Sequence, residues 1–454
     1  MATGTNDLLR VLDMTSFKLG LVHTGIAALD MKYTQECRDS LLRKLSQLGH
    51  EIVTHDRPVI ESGEALSAAE RMRRADVDLL VVLVGTFTQD PVMTNLVQNV
   101  KVPVVFWAVP EVALKGPPGG PSRSGGLVGA IMNASALSKM GMRFKVLFGE
   151  PTDQKAFGRL KNTIEAVRVL KALRTSRLGI VGYHSPGFYD GSVDEVALKQ
   201  HVGTELVHID LSELNAVSQR IAESEAKRTH QEVTNRIMDL TPEERVRDGR
   251  IFLGLKQLVE ANKLDAVAVK CWPELKFTSC FALSRLSDMG IPGGCEGDVN
   301  ATVTMLTLQR LTGQPVYLCD VFHLDEKRNT ILTYHCGAAA PSLASKKSEI
   351  SIRKHDQGIG ATVEFPVRPG RVTIARMGSC GGKYRMFIAT GEALRTKQIV
   401  RGNPLEVRLD SKVDDFLKTI TSTGVEHHML MVHGDWSDIL TEMCEIADFE
   451  KITV

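Results

Sequence analysis

The sequence predicts an α/β fold: two doubly wound α/β domains followed by a smaller C-terminal antiparallel β domain. Three observations predict it. Apolar runs such as Asp78–Gly85 (DLLVVLVG), Val102–Val109 (VPVVFWAV) and Leu264–Val269 (LDAVAV) lack polar alternation, as strands of a parallel sheet covered on both faces do. Helical stretches separate these runs, the alternation of a doubly wound layer. Beyond Pro341 the texture turns to alternating strands punctuated by glycine-rich turns. The expected domains are 1–175, 176–341 and 342–454.

At 454 residues the chain is long enough for two or three domains, and 43% hydrophobic with 24% charged residues is ordinary for a globular protein. A net charge of +1 offers nothing to nucleic acid or an anionic membrane, so neither is an expected partner. No apolar run approaches a membrane span, and the N-terminus lacks a basic segment followed by an apolar one. The expected location is cytoplasmic. The eight cysteines form no CxxC pair and read as reduced core residues, including Cys271, Cys295, Cys319 and Cys336.

In order, Lys18–Thr24 is a strand, Gln35–Leu48 an amphipathic helix and Glu51–His55 a second strand. Ser67–Arg74 is helical, and the two apolar strands at 78–85 and 102–109 follow. Lys115–Gly126 (KGPPGGPSRSGG) reads as a long functional or interfacial loop. The helix Asp153–Arg174 leads to the strand Arg177–Val181 of the second unit, then the strand Glu205–Ile209. The charged helical stretch Leu211–Arg247 restarts at Thr241-Pro242, where a capping residue precedes a proline at the first helical position. Leu264–Val269 delivers Lys270-Cys271-Trp272-Pro273-Glu274, and 279–289 is helical. After Pro341, Ala361–Val367, Gly370–Met377, Tyr384–Thr390 and Pro404–Leu409 are strands; helix Lys412–Thr421, a strand after His427-His428, helix Ser437–Ala447 and a last strand close the chain.

The chemistry concentrates in 291–337. Glu296-Gly297-Asp298 precedes a helix from Val299 to about Leu311, which Gly313 and Pro315 end; Val316–Cys319 is a short strand that delivers Asp320. The helix rises roughly 20 Å and the strand returns a similar distance, so Glu296 and Asp320 are expected at one carboxyl edge of a sheet, where α/β folds bind ligands. Two converging carboxylates repel unless a proton or cation lies between them, and a divalent metal is the simpler partner. The competing reading is that Glu296 only favours the helix N-terminus and Asp320 only ends a strand. His427-His428 opens a strand, so one imidazole of the pair is expected to face a given site. Oxygen ligands with one imidazole suit manganese or magnesium better than zinc.

KCWPEL (270–275), CEGDV (295–299), LCDV (318–321) and TYHCG (333–337) resemble the core of the L-fucose isomerase and L-arabinose isomerase superfamily. VLVGTFTQD (82–90) and VPVVFWAVPE (102–111) resemble its first domain. The resemblance implies one divalent metal, usually Mn2+ (Mg2+ being another such cation), held by Glu296, Asp320 and a histidine from the C-terminal β domain; the Gly434-Asp435 that follows favours His428. It implies interconversion of an aldose and a ketose through an ene-diolate, with Glu296 and Asp320 shuttling the proton. Trp272, His335, Gln89 and Trp107, with Glu111, are candidate sugar contacts, and a homo-oligomer, trimer or hexamer, is implied. Asp320 matches the fucose type and the paired histidines the arabinose type, which leaves the sugar open. The alternatives are a metal-dependent decarboxylase or lyase acting on a sugar acid, or a non-catalytic sugar-binding protein.

Overall fold

The computed structural model describes residues 17–116 and 118–454. Two compact units divide the chain, one ending at Lys171 and the other running from Ala172 to Val454.

In the first unit, β1 (Lys18–Thr24), β2 (Glu51–Thr54), β3 (Leu79–Val84), β4 (Val104–Ala108) and β5 (Lys145–Phe148) form one parallel sheet in the order β2-β1-β3-β4-β5. That order is doubly wound. Every residue of β3 and β4 is buried, which is why those segments are apolar without alternation. The glycine- and proline-rich loop ends in a helix, Gly126–Lys139, and β5 follows; neither element stands out in the sequence.

The second unit begins as another parallel sheet. β6 (Arg177–Val181) and β7 (Glu205–Ile209) are followed by β8 (Ile237–Met238), which leaves for a small sheet elsewhere; β9 (Ala266–Val269) and β10 (Gly293–Gly294) complete the order β10-β9-β6-β7. Thr241 caps the long helix Pro242–Asn262 as expected, its hydroxyl accepting the Glu244 N–H while the Glu244 carboxylate accepts the Thr241 N–H.

The remaining strands are β11 (Tyr317–Asp325), β12 (Thr330–Tyr334), β13 (Ser351–Lys354), β14 (Ala361–Glu364), β15 (Gly370–Cys380), β16 (Lys383–Ala393), β17 (Leu405–Leu409), β18 (Met429–His433) and β19 (Glu450–Thr453). Six of them pair antiparallel in the order β15-β18-β11-β12-β17-β16, and the full-length β15–β16 hairpin closes that order into a ring. β19 adds parallel to β16, while β13 pairs with β14 on one side and β8 on the other in a separate small sheet.

This topology corrects two expectations. The change of architecture comes before Tyr317, not at Pro341, because β11 and β12 are strands of the antiparallel ring. Glu296 and Asp320 therefore leave two different sheets: Glu296 follows a parallel strand, and Asp320 sits within an antiparallel one. Strand periodicity reports burial but not partners, so the sequence placed Asp320 on the wrong sheet.

The helix Val299–Thr312 joins the two sheets. Its residues Val299–Leu308 are all buried, so it is covered on every face rather than amphipathic. Its threonines tolerate this because Thr302, Thr304 and Thr307 donate their hydroxyls to the carbonyls four residues earlier. Among the described residues no helix is long and apolar enough to cross a membrane.

Candidate active site

Three backbone features place Glu296. Gly297 donates its N–H to the Val269 carbonyl at the end of β9, 3.0 Å away, and Ser185 donates to the Glu296 carbonyl at 2.9 Å. Glu296 itself is left-handed at φ +59°, a strained conformation of the kind that persists where the surroundings enforce it. Gly297 is also left-handed (φ +73°), and a β-carbon there would stand 2.1 Å from the Tyr183 carbonyl oxygen, so only glycine fits.

The antiparallel ring supplies the rest. β11 and β18 pair Leu318 with Leu430 and Cys319 with Met429, so one further step sets His428 opposite Asp320. On the other side Asp320 pairs with Tyr334, which brings His335 alongside. The rings of His335 and His428 lie 5.6 Å apart.

Glu296 Oε2 is 3.3 Å from His427 Nε2 and 3.7 Å from His428 Nε2, and these three groups lie within 4.8 Å of one another. Both imidazoles thus face one carboxylate, contrary to the alternation expected of a strand. The reason is local: β18 begins only at Met429, so the pair precedes the pleat. Asp320 lies outside that tight trio but close enough to feel Glu296 and both imidazoles. Burial raises its pKa, with His428 and His427 pulling the other way.

His428 is fully buried, and its Nδ1 is 2.9 Å from Asp298 Oδ2, which leaves Nε2 turned toward Glu296. Asp298 caps the helix by accepting the Ala301 N–H at 2.8 Å and pairs with the buried Arg376 guanidinium at 3.0 Å. Burial alone would raise its pKa, but the Arg376 charge and the His428 hydrogen bond hold it well below the carboxylate range. The helix cap is thus Asp298, and Glu296 is free of that duty. On the other flank His427 Nδ1 meets Asp190 Oδ2 at 2.6 Å. Burial lowers the His427 pKa, yet Glu296 and Asp190 outweigh it and push it up to about 9. His335 is buried with Nδ1 unpartnered, and burial beside His428 keeps its pKa well below the ordinary imidazole value.

Of the expected sugar contacts in this unit, Trp272 is 44% exposed just past β9, its ring stacked on Phe277 at 5.7 Å. Lys270 at the same strand end is paired with Glu274 at 2.8 Å. The candidates in the first unit are differently placed. Gln89 is an exposed residue preceding the helix Asp90–Val100. Trp107 is completely buried within β4, its indole N–H donating to the Gly149 carbonyl at 2.9 Å, so in this unit it is a core residue. Glu111 anchors the glycine-rich loop: its carboxylate accepts the N–H groups of Ala113, Arg123, Ser124 and Gly125 and the Ser122 hydroxyl. These donors overcome burial and hold its pKa well below the usual range.

Sequence reading missed Asp298, Arg376 and Asp190, and expected only one of His427 and His428 to face the site. An Asp before a helix is an ordinary cap, and no sequence signal marks one that also orients a histidine.

The buried atoms without a hydrogen-bond partner include Glu296 Oε2, Asp320 Oδ1 and His428 Nε2. Two carboxylate oxygens and an imidazole nitrogen, left unsatisfied in one place, fit a divalent cation of the manganese or magnesium class.

Comparison with known proteins identifies the family. Residues 20–174 match the family model for the fucose/sulfoquinovose isomerase N-terminal domain, and residues 333–453 that for the L-fucose isomerase C-terminal domain. A sulfoquinovose isomerase of Priestia megaterium is 27% identical over 439 residues, covering 94% of this chain and 97% of its own. One from Clostridium sp. is 26% identical over 452 residues, covering 96% and 99%. Among solved structures, a periplasmic solute-binding protein from Actinobacillus succinogenes with bound D-allose aligns at 12% identity over 66% of this chain and 92% of its own, with a TM-score of 0.20, too low to bear on the fold. With both ends of the chain matched and relatives aligned along nearly its whole length, the chain belongs to the fucose/sulfoquinovose isomerase family, a family of aldose–ketose isomerases.

Proposed function

We propose that this protein is a metal-dependent aldose–ketose isomerase with Glu296, Asp320 and His428 as the cation's ligands. The observation that carries the reading is the approach of Glu296 to the buried His428, itself held by Asp298, with Asp320 from the other sheet close enough to feel both. A bound Mn2+ or Mg2+ would supply a Lewis acid that polarises the sugar's oxygens and stabilises negative charge developing on them.

The chain's own groups do the rest. Isomerisation removes a proton from C2 of the aldose and returns one to C1. Glu296 and Asp320 are the carboxylates we assign to that transfer, one accepting the proton and the other serving the sugar hydroxyls. Asp298 acts through His428: accepting its Nδ1–H fixes the tautomer and aims Nε2 inward. Asp190 accepts from Nδ1 of His427 and holds that ring in place. His335 lies beside this cluster and Trp272 near the end of β9, and both are assigned to the sugar, Trp272 through its exposed aromatic face. The names of the relatives make a sulfonated hexose the first substrate to try. We read the enzyme as a cytoplasmic homo-oligomer, trimer or hexamer, which sedimentation would check.

The test is incubation of the manganese-loaded protein with aldoses, sulfonated aldoses and sugar acids in deuterated water. Ketose carrying deuterium at the exchanging carbon is the expected result; carbon dioxide release, or binding without turnover, would replace the isomerase with the lyase or the sugar-binding reading. Glu296→Gln keeps the side-chain shape and is expected to abolish turnover with the fold intact. Preserved activity would leave Glu296 without a catalytic part.

A further inference from the structure

We propose that Cys271, Cys295 and Glu296 form a second cation site, one selective for thiophilic ions such as zinc and cadmium. Cys271 follows β9 and Cys295 follows β10, and these strands are parallel neighbours. Two thiols far apart in sequence therefore meet, with their sulfurs 3.4 Å apart. Both are almost wholly buried, at 1% and 2% exposure. A Glu296 carboxylate oxygen completes the group, all three ligand atoms lying within 4.8 Å of one another.

The geometry suits a tetrahedral ion. Zinc bonds thiolate sulfur at about 2.3 Å, which sets two sulfurs roughly 3.8 Å apart, so the pair has only to open by a few tenths of an ångström. Glu296 is less buried than the thiols and gives an ion its way in. The carboxylate belongs to two donor sets, one with the imidazoles and one with the thiols, and ligand softness sorts the ions. Manganese and magnesium prefer oxygen and have little affinity for thiolate, whereas zinc and cadmium bind thiolate sulfur readily. Coordination by the thiols releases two protons to solvent and changes no oxidation state. An ion held there takes Glu296 away from the imidazole side, so soft cations are expected to inhibit.

Only Glu296 is shared with the isomerase reading, and sulfur-to-metal absorbance reports on the thiols without turnover, so the two can fail separately. The full-length, chelator-treated protein is titrated with Cd2+ while the ultraviolet sulfur-to-cadmium charge-transfer band is followed. The band is expected to saturate at one equivalent, to be lost in Cys295→Ser and Cys295→Ala, and to persist in Cys380→Ser, which removes an exposed thiol. Should neither Cys295 variant fold, Cys271→Ala makes the same test. Absence of the band in the folded wild type at one equivalent, or its survival at full size in a folded Cys295 or Cys271 variant, overturns the site.

Discussion

Asp298 joins three parts of the candidate site. It caps a helix, neutralises a buried arginine and orients His428, and all three contacts are within hydrogen-bonding distance. Asp298→Asn keeps an acceptor for the cap but removes the charge. Outer-shell partners of metal-binding histidines typically matter by 10–100-fold, so a fall of about that size in activity or manganese affinity is expected. Breaking a buried ion pair costs about 3–5 kcal/mol, read as a shifted urea midpoint. Unchanged activity with only the stability loss would reduce Asp298 to a structural cap. Glu296 was legible in the sequence because an acidic residue in a glycine-rich turn before a helix is conspicuous. Asp298 was not, because its second and third partners come from 78 and 130 positions away.

At the scale of the element, the turn between β10 and the buried helix sets the position of the Glu296 carboxylate. Gly297→Ala would put a β-carbon 2.1 Å from a main-chain oxygen at a left-handed φ, and backbone cannot yield as a side chain can. A loss of at least about 1 kcal/mol is expected, with activity falling further than stability because Glu296 moves with the turn. Thermal melts and turnover on the same preparation check this. A second element carries a pH dependence of its own. Asp248, buried in the helix Pro242–Asn262, accepts the Ala361 N–H of β14 at 2.9 Å. Burial, outweighing the Arg247 charge, pushes its pKa up to about 7. The folded protein keeps this proton to near neutrality, while the unfolded chain gives it up near pH 4. The native state therefore binds more protons between those values, and this contribution to stability falls as pH rises from about 4 to 7 and is flat above. Asp248→Asn cannot ionise, so urea unfolding between pH 5 and 8 is expected to show a shallower fall than in the wild type.

For the whole molecule, the consequential feature is that a parallel sheet and an antiparallel ring meet across one buried helix. The candidate ligands come from both, so a cation binding Glu296 and His428 ties the two together and stabilises the native state alone. At 100 times its dissociation constant a ligand adds about 2.7 kcal/mol. Thermal melts with and without Mn2+ are expected to differ by several degrees, and the difference should vanish in Glu296→Gln. Equal melting temperatures in the wild type would argue against a native-state cation at these residues.

The linear sequence by itself determined most of the elements and the mixed α/β class: apolar strands without alternation, capped helices and glycine turns all follow from local chemistry. It also nominated Glu296, Asp320 and His428 as candidate ligands, through motifs a few residues long. Only the tertiary structure decided which sheet each strand joined, that His427 and His428 face the same carboxylate, that Asp298 stands behind His428, and that two cysteines lie beside Glu296. The reason is that hydrophobic periodicity records whether a residue is buried and says nothing about what it is buried against. Partners far along the chain are chosen by sheet order and register, and the closing β15–β16 hairpin settles both for the ring.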